Sequence, residues 1–244
     1  DASSGSTALS GAWFARLLGL PFIAVMPACT APGKIHAVQA LGALCDLVDD
    51  PAEVHQRAAW HAANGACHLD QFGLAERATD WRGNNNIAES IIQQMAQEPD
   101  AEPAWIVCGA GSAFAEGWKH RDYSAVASRC TLIEGIGRPR VEPGFLFDVV
   151  DAVLEVEDAD SIAAAWALES WFGRRYGGSS GTNLSACLKL AAGMRQRSES
   201  GSIVSLLCDL GDRYLETIYD RDWLMAGQID IEQAQRQFAQ SVSA

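Results

Sequence analysis

The sequence predicts an α/β fold with parallel strands. Short apolar runs, bounded by Pro, Gly or Asp, alternate with longer segments in which apolar residues recur every three or four positions. A strand, helix, strand, helix order implies a parallel sheet with right-handed crossovers.

The predicted strands cover residues 21–26, 45–48, 105–108 and 202–207. The predicted helices cover residues 9–18, 34–44, 51–64, 84–95, 159–172 and 183–194. Pro51 stands where a first-turn proline is tolerated, and Asn64-Gly65 resembles a helix C-cap. The spacing of Ile87, Ile91, Ile92 and Met95 predicts core positions rather than a chemical role.

Composition narrows the class of protein. The 244 residues are 48% hydrophobic, which is enough for a packed core, and the net charge of −13 disfavours nucleic acids and anionic membranes as partners. No segment reaches the ~20 apolar residues of a membrane span. The seven cysteines form no C-x-x-C pair and predict reduced core thiols, so we expect a cytoplasmic protein.

Three competing chemistries match the sequence poorly. The five histidines are dispersed, and His61, His68 and Cys67 are the least implausible metal ligands, so no metal site is predicted. A Ser-His-Asp hydrolase is disfavoured because no G-x-S-x-G elbow occurs. Gly109-Ala-Gly111 begins a dinucleotide fingerprint, but Phe114 takes the position of its third glycine.

Residues 1–8 place four hydroxyl side chains and a glycine directly before a predicted helix. Backbone N–H groups at a helix N-terminus favour a carboxylate or phosphate. Ordinary N-capping by Ser or Thr predicts the same pattern, so the loop alone leaves both interpretations open. Residues 177–183 (Gly-Gly-Ser-Ser-Gly-Thr-Asn) are a second loop of this ambiguous kind.

Further segments follow the first loop in a specific order. They are residues 70–72 (Asp-Gln-Phe), 78–89 with Trp-Arg-Gly-Asn-Asn-Asn at 81–86, 133–137 (Ile-Glu-Gly-Ile-Gly), 177–183 and 207–215. Together they resemble the cysteine synthase family of pyridoxal-phosphate (PLP) enzymes, and especially its cysteine desulfhydrase-like branch. The resemblance extends to about Trp223 and implies fold type II, with two three-layer αβα domains and mostly parallel sheets.

The resemblance also implies site residues. The loop Ser3, Ser4, Gly5, Ser6 and Thr7 matches the family's grip on the substrate α-carboxylate, and Gln71 matches a glutamine that assists it. On the cofactor side, Gly109 and Gly111 match the first edge of the phosphate cradle. Gly135 and Gly137 match a loop beside the cleft, and Leu210 stands where the family usually offers a serine hydroxyl to the pyridine nitrogen.

Three departures accompany these matches. Lys34, Lys119 and Lys189 do not occupy the motif position of the lysine that carries PLP, so no catalytic residue is assigned. The phosphate cradle is reduced to Gly109-Ala-Gly111, and Leu210 cannot form a side-chain hydrogen bond. Either the 244 residues are pieces of a longer polypeptide, or the protein is a homologue that has lost its cofactor site.

We therefore expect a smaller mobile domain at residues 1–69 and a larger cofactor-side domain at residues 70–244. The resemblance implies a homodimer that catalyses PLP-dependent β-elimination or β-replacement on cysteine or an O-activated serine. The alternative is a PLP-free pseudoenzyme that binds amino acids or proteins, and the chain as it stands is expected to be inactive.

Overall fold

The computed structural model describes residues 1–50, 53–71, 87–109, 113–126, 131–136, 140–142 and 144–243. The chain divides into two compact units. Unit 1 comprises residues 1–80 and 142–144, and unit 2 comprises residues 81–141 and 145–244. The domain boundary expected after residue 69 stays a prediction.

Unit 1 contains a pair of parallel strands with helices between and around them. In chain order its elements are α1 (Ser6–Leu18), β1 (Ile23–Pro27), α2 (Pro32–Ala40), β2 (Leu44–Val48) and α3 (Val54–Ala63). Ile23 pairs with Leu44, and α2 forms the crossover. Helix α1 ends at Gly19, which adopts a left-handed φ of 67°. The first core cluster of this unit includes Ala8, Ala12, Ala24, Met26 and Val38.

Unit 2 is more helical. Its elements are α4 (Ile87–Met95), β3 (Trp105–Val107), α5 (Ala113–His120), α6 (Asp158–Phe172), α7 (Gly178–Gln196), β4 (Ile203–Ser205), α8 (Arg221–Ala226) and α9 (Ile231–Ser243). Short 3-10 turns cover Phe147–Val149 and Gly211–Tyr214. Strands β3 and β4 pair in parallel, with Trp105 opposite Ile203. The main core cluster of this unit includes Ile133, Ile162, Ala165, Ile218 and Leu224.

The second Gly/Ser segment is helical, which corrects the prediction of a loop at residues 177–183. Helix α7 begins at Gly178, and its first turns pack against α6. A Cβ atom at Gly181 would lie 2.0 Å from the Ser161 carbonyl oxygen and 2.8 Å from the Ala165 nitrogen. The small residues therefore allow two helix backbones to approach closely.

The predicted α/β class is confirmed, and both strand pairs of the described residues are parallel. The prediction of core cysteines is wrong: four of the six described thiols are exposed, and Cys45 and Cys187 are half-buried. Within the described ranges, no helix has the length and apolar character needed to cross a bilayer. In the same ranges no cluster of three His, Cys, Asp or Glu side chains could hold a metal, and His61 instead contacts Asp46.

Candidate functional site

The serine loop of unit 1 begins as an extension of the sheet. Ala2 forms a parallel bridge with Val25 of β1. The Val25 nitrogen donates to the Asp1 carbonyl oxygen at 2.9 Å, and the Ser3 nitrogen donates to the Val25 carbonyl oxygen at 3.1 Å. The loop therefore leaves the strand in a fixed direction before α1 starts at Ser6.

The N-cap position of α1 carries no side chain. Gly5 is the N-cap residue, and the Ser3 hydroxyl accepts a hydrogen bond from the Gly5 nitrogen at 3.3 Å. A Cβ atom built at Gly5 would meet no heavy atom within 4 Å, so the space beside the loop is open. The N-cap residue therefore supplies no side-chain capping oxygen to α1, and the anion-binding interpretation of the loop stays a prediction.

Gln71 lies against this loop. The Thr7 hydroxyl donates to Gln71 Oε1 at 2.8 Å. Gln71 Nε2 donates to the Ala2 carbonyl oxygen at 3.2 Å and to Asp1 Oδ2 at 3.3 Å. The structure thus brings the loop and Gln71 together, and it adds Asp1, which no motif singles out.

Asp1 has an unusual electrostatic environment. Its side chain is only 1% exposed, and Oδ1 has no hydrogen-bond partner among the residues that the structure describes. The nearby His68 Nε2 lies 3.9 Å from Oδ1, which is beyond hydrogen-bond distance. A buried carboxylate with one unsatisfied oxygen is costly, which points to a role other than ordinary packing.

A second polar group lies in unit 2, where β3 and β4 end beside the first turns of α7. The Ser180 hydroxyl accepts from the Cys208 nitrogen at 2.9 Å. Asn183 is 2% exposed, and its Nδ2 donates to the Leu206 carbonyl oxygen at 2.9 Å. Asn183 Oδ1 is buried and has no hydrogen-bond partner in the described part of the chain. This part of the unit therefore holds an unused acceptor.

Two of the predicted cofactor-side segments meet here. A Cβ atom at Gly109 would lie 3.1 Å from Asn183 Oδ1 and 3.3 Å from Ile136 Cγ2, so a glycine fits best at this position. Gly135 has a φ of 89°, which turns the chain just before Ile136 and favours glycine. Gly111 and Gly137 lie outside the described residues, as does the run at residues 81–86.

Leu210 is 39% exposed and bridges to Tyr176. The hydrogen-bonding side chain in this segment belongs to the preceding residue, Asp209. Asp209 Oδ2 accepts from the Tyr214 hydroxyl at 2.8 Å, whereas Oδ1 is buried and no described residue donates a hydrogen bond to it. Burial and the neighbouring Asp209 raise the pKa of Tyr214 above its usual value, so the phenol keeps its proton. In the sequence, the position of Asp209 just before the Leu-Gly-Asp-Arg-Tyr run is the signal that could have identified it as a site residue.

The three lysines lie outside the polar group beside β3 and β4. Lys189 Nζ donates to Asp160 Oδ2 at 3.1 Å and to the Glu155 carbonyl oxygen at 3.4 Å. Lys119 lies in the last turn of α5, and Lys34 lies in α2 of unit 1. Lys189 thus takes part in a surface ion pair rather than in the polar group beside β3 and β4.

Comparison with known sequences decides the family. The L-cysteine desulfhydrase Cds1 of Mycobacterium tuberculosis is 46% identical over 259 aligned residues, which cover 94% of this chain and 70% of the relative. The chain belongs to the PLP-dependent cysteine synthase and cysteine desulfhydrase family. The family model described as pyridoxal-phosphate dependent enzyme matches residues 1–113. A putative cysteine synthase of Sinorhizobium fredii is 26% identical over 255 residues, which cover 92% of this chain and 73% of that protein.

Solved structures support fold type II for this PLP family member. The hydrogen sulfide-producing enzyme Fn1055 of Fusobacterium nucleatum superposes with a TM-score of 0.70 and 21% identity, over 90% of this chain and 72% of that one. O-acetylserine sulfhydrylase isoform 3 of Entamoeba histolytica gives a TM-score of 0.63 and 22% identity, over 98% and 75% of the two chains. At these identities the likeness establishes the fold.

The described residues of this PLP family member fit part of the cofactor. Asp209 Oδ1 is a buried acceptor without a donor, and an acidic side chain is a suitable partner for a protonated ring nitrogen. Gly109 lets the backbone approach Asn183 closely, at the segment that resembles the phosphate cradle. The chain's three lysines give no candidate for the covalent link to the cofactor.

Proposed function

We propose that this protein, at its natural length, catalyses PLP-dependent β-elimination on cysteine, or the related β-replacement on an O-activated serine. The observation that carries the proposal is the 46% identity to L-cysteine desulfhydrase across 94% of the chain. The open start of α1 supports it, because both reactions need a site that holds an α-carboxylate.

On this proposal the substrate carboxylate binds the loop of Ser3, Ser4, Gly5, Ser6 and Thr7. The N-terminus of α1 favours a negative charge, and the open space beside Gly5 leaves room for it. Fixing the carboxylate orients the Cα–H and Cα–N bonds of the substrate. The loop therefore contributes to the rate by holding the substrate in one orientation. Gln71 belongs to this substrate side through its hydrogen bond with Thr7.

The cofactor side comprises Gly109, Gly111, Gly135 and Gly137, together with the segment at Leu210. We infer that Asp209 supplies the hydrogen-bond acceptor of that segment, because Leu210 has none. Tyr214 holds Asp209 in place through Oδ2, which leaves Oδ1 to accept from a ring nitrogen. When bound, PLP supplies an electron sink for bond cleavage at the amino acid.

The test is an assay of the protein purified at its natural length with PLP. L-cysteine alone should yield sulfide and pyruvate if elimination is the activity. O-acetylserine with added sulfide should yield cysteine if replacement is the activity. If neither product forms in a preparation whose absorbance establishes bound PLP, the proposal is contradicted.

A PLP-free pseudoenzyme is the second candidate. The observation that favours it is the phosphate cradle, which this sequence reduces to Gly109-Ala-Gly111. Absence of cofactor absorbance after incubation with PLP, combined with binding of cysteine or serine by calorimetry, would support it. Cofactor absorbance that survives gel filtration and disappears on borohydride reduction would contradict it.

We also propose that the protein works in the cytoplasm as a homodimer. Its described thiols are free, which suits a reducing compartment. Helix α1 exposes Trp13, Phe14, Leu17 and Leu18, an apolar surface of the kind that subunits bury against each other. Light scattering should give twice the mass of one chain, and a monomer across the micromolar range would contradict the dimer.

A further inference from the structure

Among the described residues of unit 1, the Gln71 side chain makes three hydrogen bonds, and together they determine which way its amide points. An amide nitrogen carries two hydrogens, and here one goes to Asp1 Oδ2 and the other to the Ala2 carbonyl oxygen. The amide oxygen is left for the Thr7 hydroxyl, at 2.8 Å. Gln71 therefore has no donor left over for a substrate in this arrangement.

Asp1 is the residue that excludes the reversed amide. A carboxylate is an acceptor only, as is the Ala2 carbonyl oxygen. If Gln71 turned its oxygen toward them, three acceptors would face one another inside a region where the Asp1 side chain is 1% exposed. Because the amide cannot reverse, the Thr7 hydroxyl must point its hydrogen at Gln71.

We propose that Asp1 is a positioning residue for the substrate loop, acting through Gln71 on Thr7. This proposal rests on the proposed function, since it takes the loop from Ser3 to Thr7 as the carboxylate site. Asp1 Oδ2 orients Gln71, and Gln71 holds the Thr7 side chain at the first turn of α1. The Thr7 hydroxyl hydrogen is then held by Gln71, and the donors to the carboxylate are backbone N–H groups and serine hydroxyls.

The buried Oδ1 of Asp1 shows that this acidic side chain is kept at an energetic cost. No residue within the described ranges forms a hydrogen bond with Oδ1, and His68 Nε2 lies 3.9 Å away. Packing alone gives no reason to keep an acceptor that raises the cost of burial. What the network requires is an acceptor directed at Gln71, and an asparagine can provide that with its own oxygen.

The experiment compares Asp1→Ala with Asp1→Asn in the protein at its natural length. Asp1→Ala should raise KM for L-cysteine about tenfold with a smaller fall in kcat, because a misplaced loop weakens binding and orients the substrate less well. Asp1→Asn should restore KM to within about twofold of the parent. The matched control is Asp46→Ala, which removes an acidic side chain of unit 1 that pairs with Arg57 and His61 and should leave KM unchanged.

A double-variant cycle separates positioning from a general loss of structure. If Asp1 acts through Thr7, Asp1→Ala combined with Thr7→Val should be no worse than Thr7→Val alone. Fully additive effects, an unchanged KM in Asp1→Ala, or an Asp1→Asn variant as impaired as Asp1→Ala would each overturn the proposal.

Hydrogen exchange supplies a readout that does not depend on activity. Asp1→Ala should accelerate amide exchange in the peptide that covers residues 3–9, and Asp1→Asn should not. If the parent protein is inactive, the proposed function is contradicted, and hydrogen exchange still tests the Asp1 network. If the parent is active and Asp1→Ala exchanges at the same rate as the parent, only the positioning role of Asp1 is contradicted.

Discussion

The Tyr219 hydroxyl hydrogen-bonds both backbone groups of Tyr176. It donates to the Tyr176 carbonyl oxygen at 2.7 Å and accepts from the Tyr176 nitrogen at 3.2 Å. Tyr176 directly precedes Gly177, the residue that leads into α7. A side chain 43 residues away therefore fixes the entry to the helix that carries Asn183.

Replacing Tyr219 with Phe should destabilise the fold. The substitution removes one hydroxyl and leaves the Tyr176 peptide without its partners, a loss of about 1–3 kcal/mol in the free energy of unfolding. Urea denaturation measures it. Tyr123→Phe is a control, since the Tyr123 hydroxyl donates to the Phe145 carbonyl oxygen at an exposed site and its loss should cost less. Equal losses would contradict the structural importance of the Tyr219 bond.

The raised pKa of Tyr219 predicts a loss of stability at alkaline pH. Burial raises the pKa of Tyr219 to about 12, compared with a usual value of 10.0. A raised pKa favours the protonated phenol in the folded state, so its contribution is complete below pH about 10 and is lost as the pH rises through about 12. The free energy of unfolding of the parent should therefore decline over this window more steeply than that of Tyr219→Phe. Parallel declines in the two proteins would contradict the assignment.

Gly181→Ala should destabilise unit 2. The new Cβ would lie 2.0 Å from the Ser161 carbonyl oxygen, so α6 and α7 must separate, and such overpacking costs about 1–3 kcal/mol. Thermal denaturation should show a lower Tm. Gly33→Ala in α2 is the matched control, because its Cβ would meet nothing within 4 Å and alanine favours a helix. A Gly181→Ala protein as stable as the parent would show that the helices are packed less closely.

Asp209→Ala should weaken cofactor binding. Removing a buried carboxylate that bonds a charged donor costs about 1.5–3 kcal/mol, which corresponds to at least a roughly tenfold rise in the dissociation constant of PLP. Equilibrium titration followed by absorbance measures this constant without turnover. Asp212→Ala, at an exposed acidic residue three positions later, should bind PLP like the parent. If both variants bind PLP equally well, Asp209 does not contact the cofactor.

The main elements follow from local sequence because burial imposes a visible pattern. The apolar run at residues 21–26 predicts a strand that the structure has at Ile23–Pro27, and the helix predicted at 159–172 occurs at Asp158–Phe172. Helix α9 is absent from the sequence-based predictions although Ile231, Ala234 and Phe238 repeat on one face. The loop predicted at residues 177–183 is wrong, because glycine can serve helix packing as well as turns.

The polar networks could not be predicted in the same way. The substrate loop and Gln71 follow from family motifs, and the structure places Gln71 beside Thr7. The orientation of the amide depends on Asp1, 70 positions earlier in the chain, and on which atoms are buried with it. Asp209 could not be predicted for a related reason. The sequence does not distinguish a buried carboxylate beside a motif from one on the surface.

The two strand pairs differ in how far apart their partners lie along the chain. Strands β1 and β2 are joined by one short crossover, whereas the Ser205 hydroxyl reaches the Val107 carbonyl oxygen across 98 residues. Closing the longer loop costs about 1 kcal/mol more chain entropy, and contacts between distant residues slow folding. We expect the β1 and β2 amides to acquire protection first during refolding, with β3 and β4 joining only after the helices between them have formed.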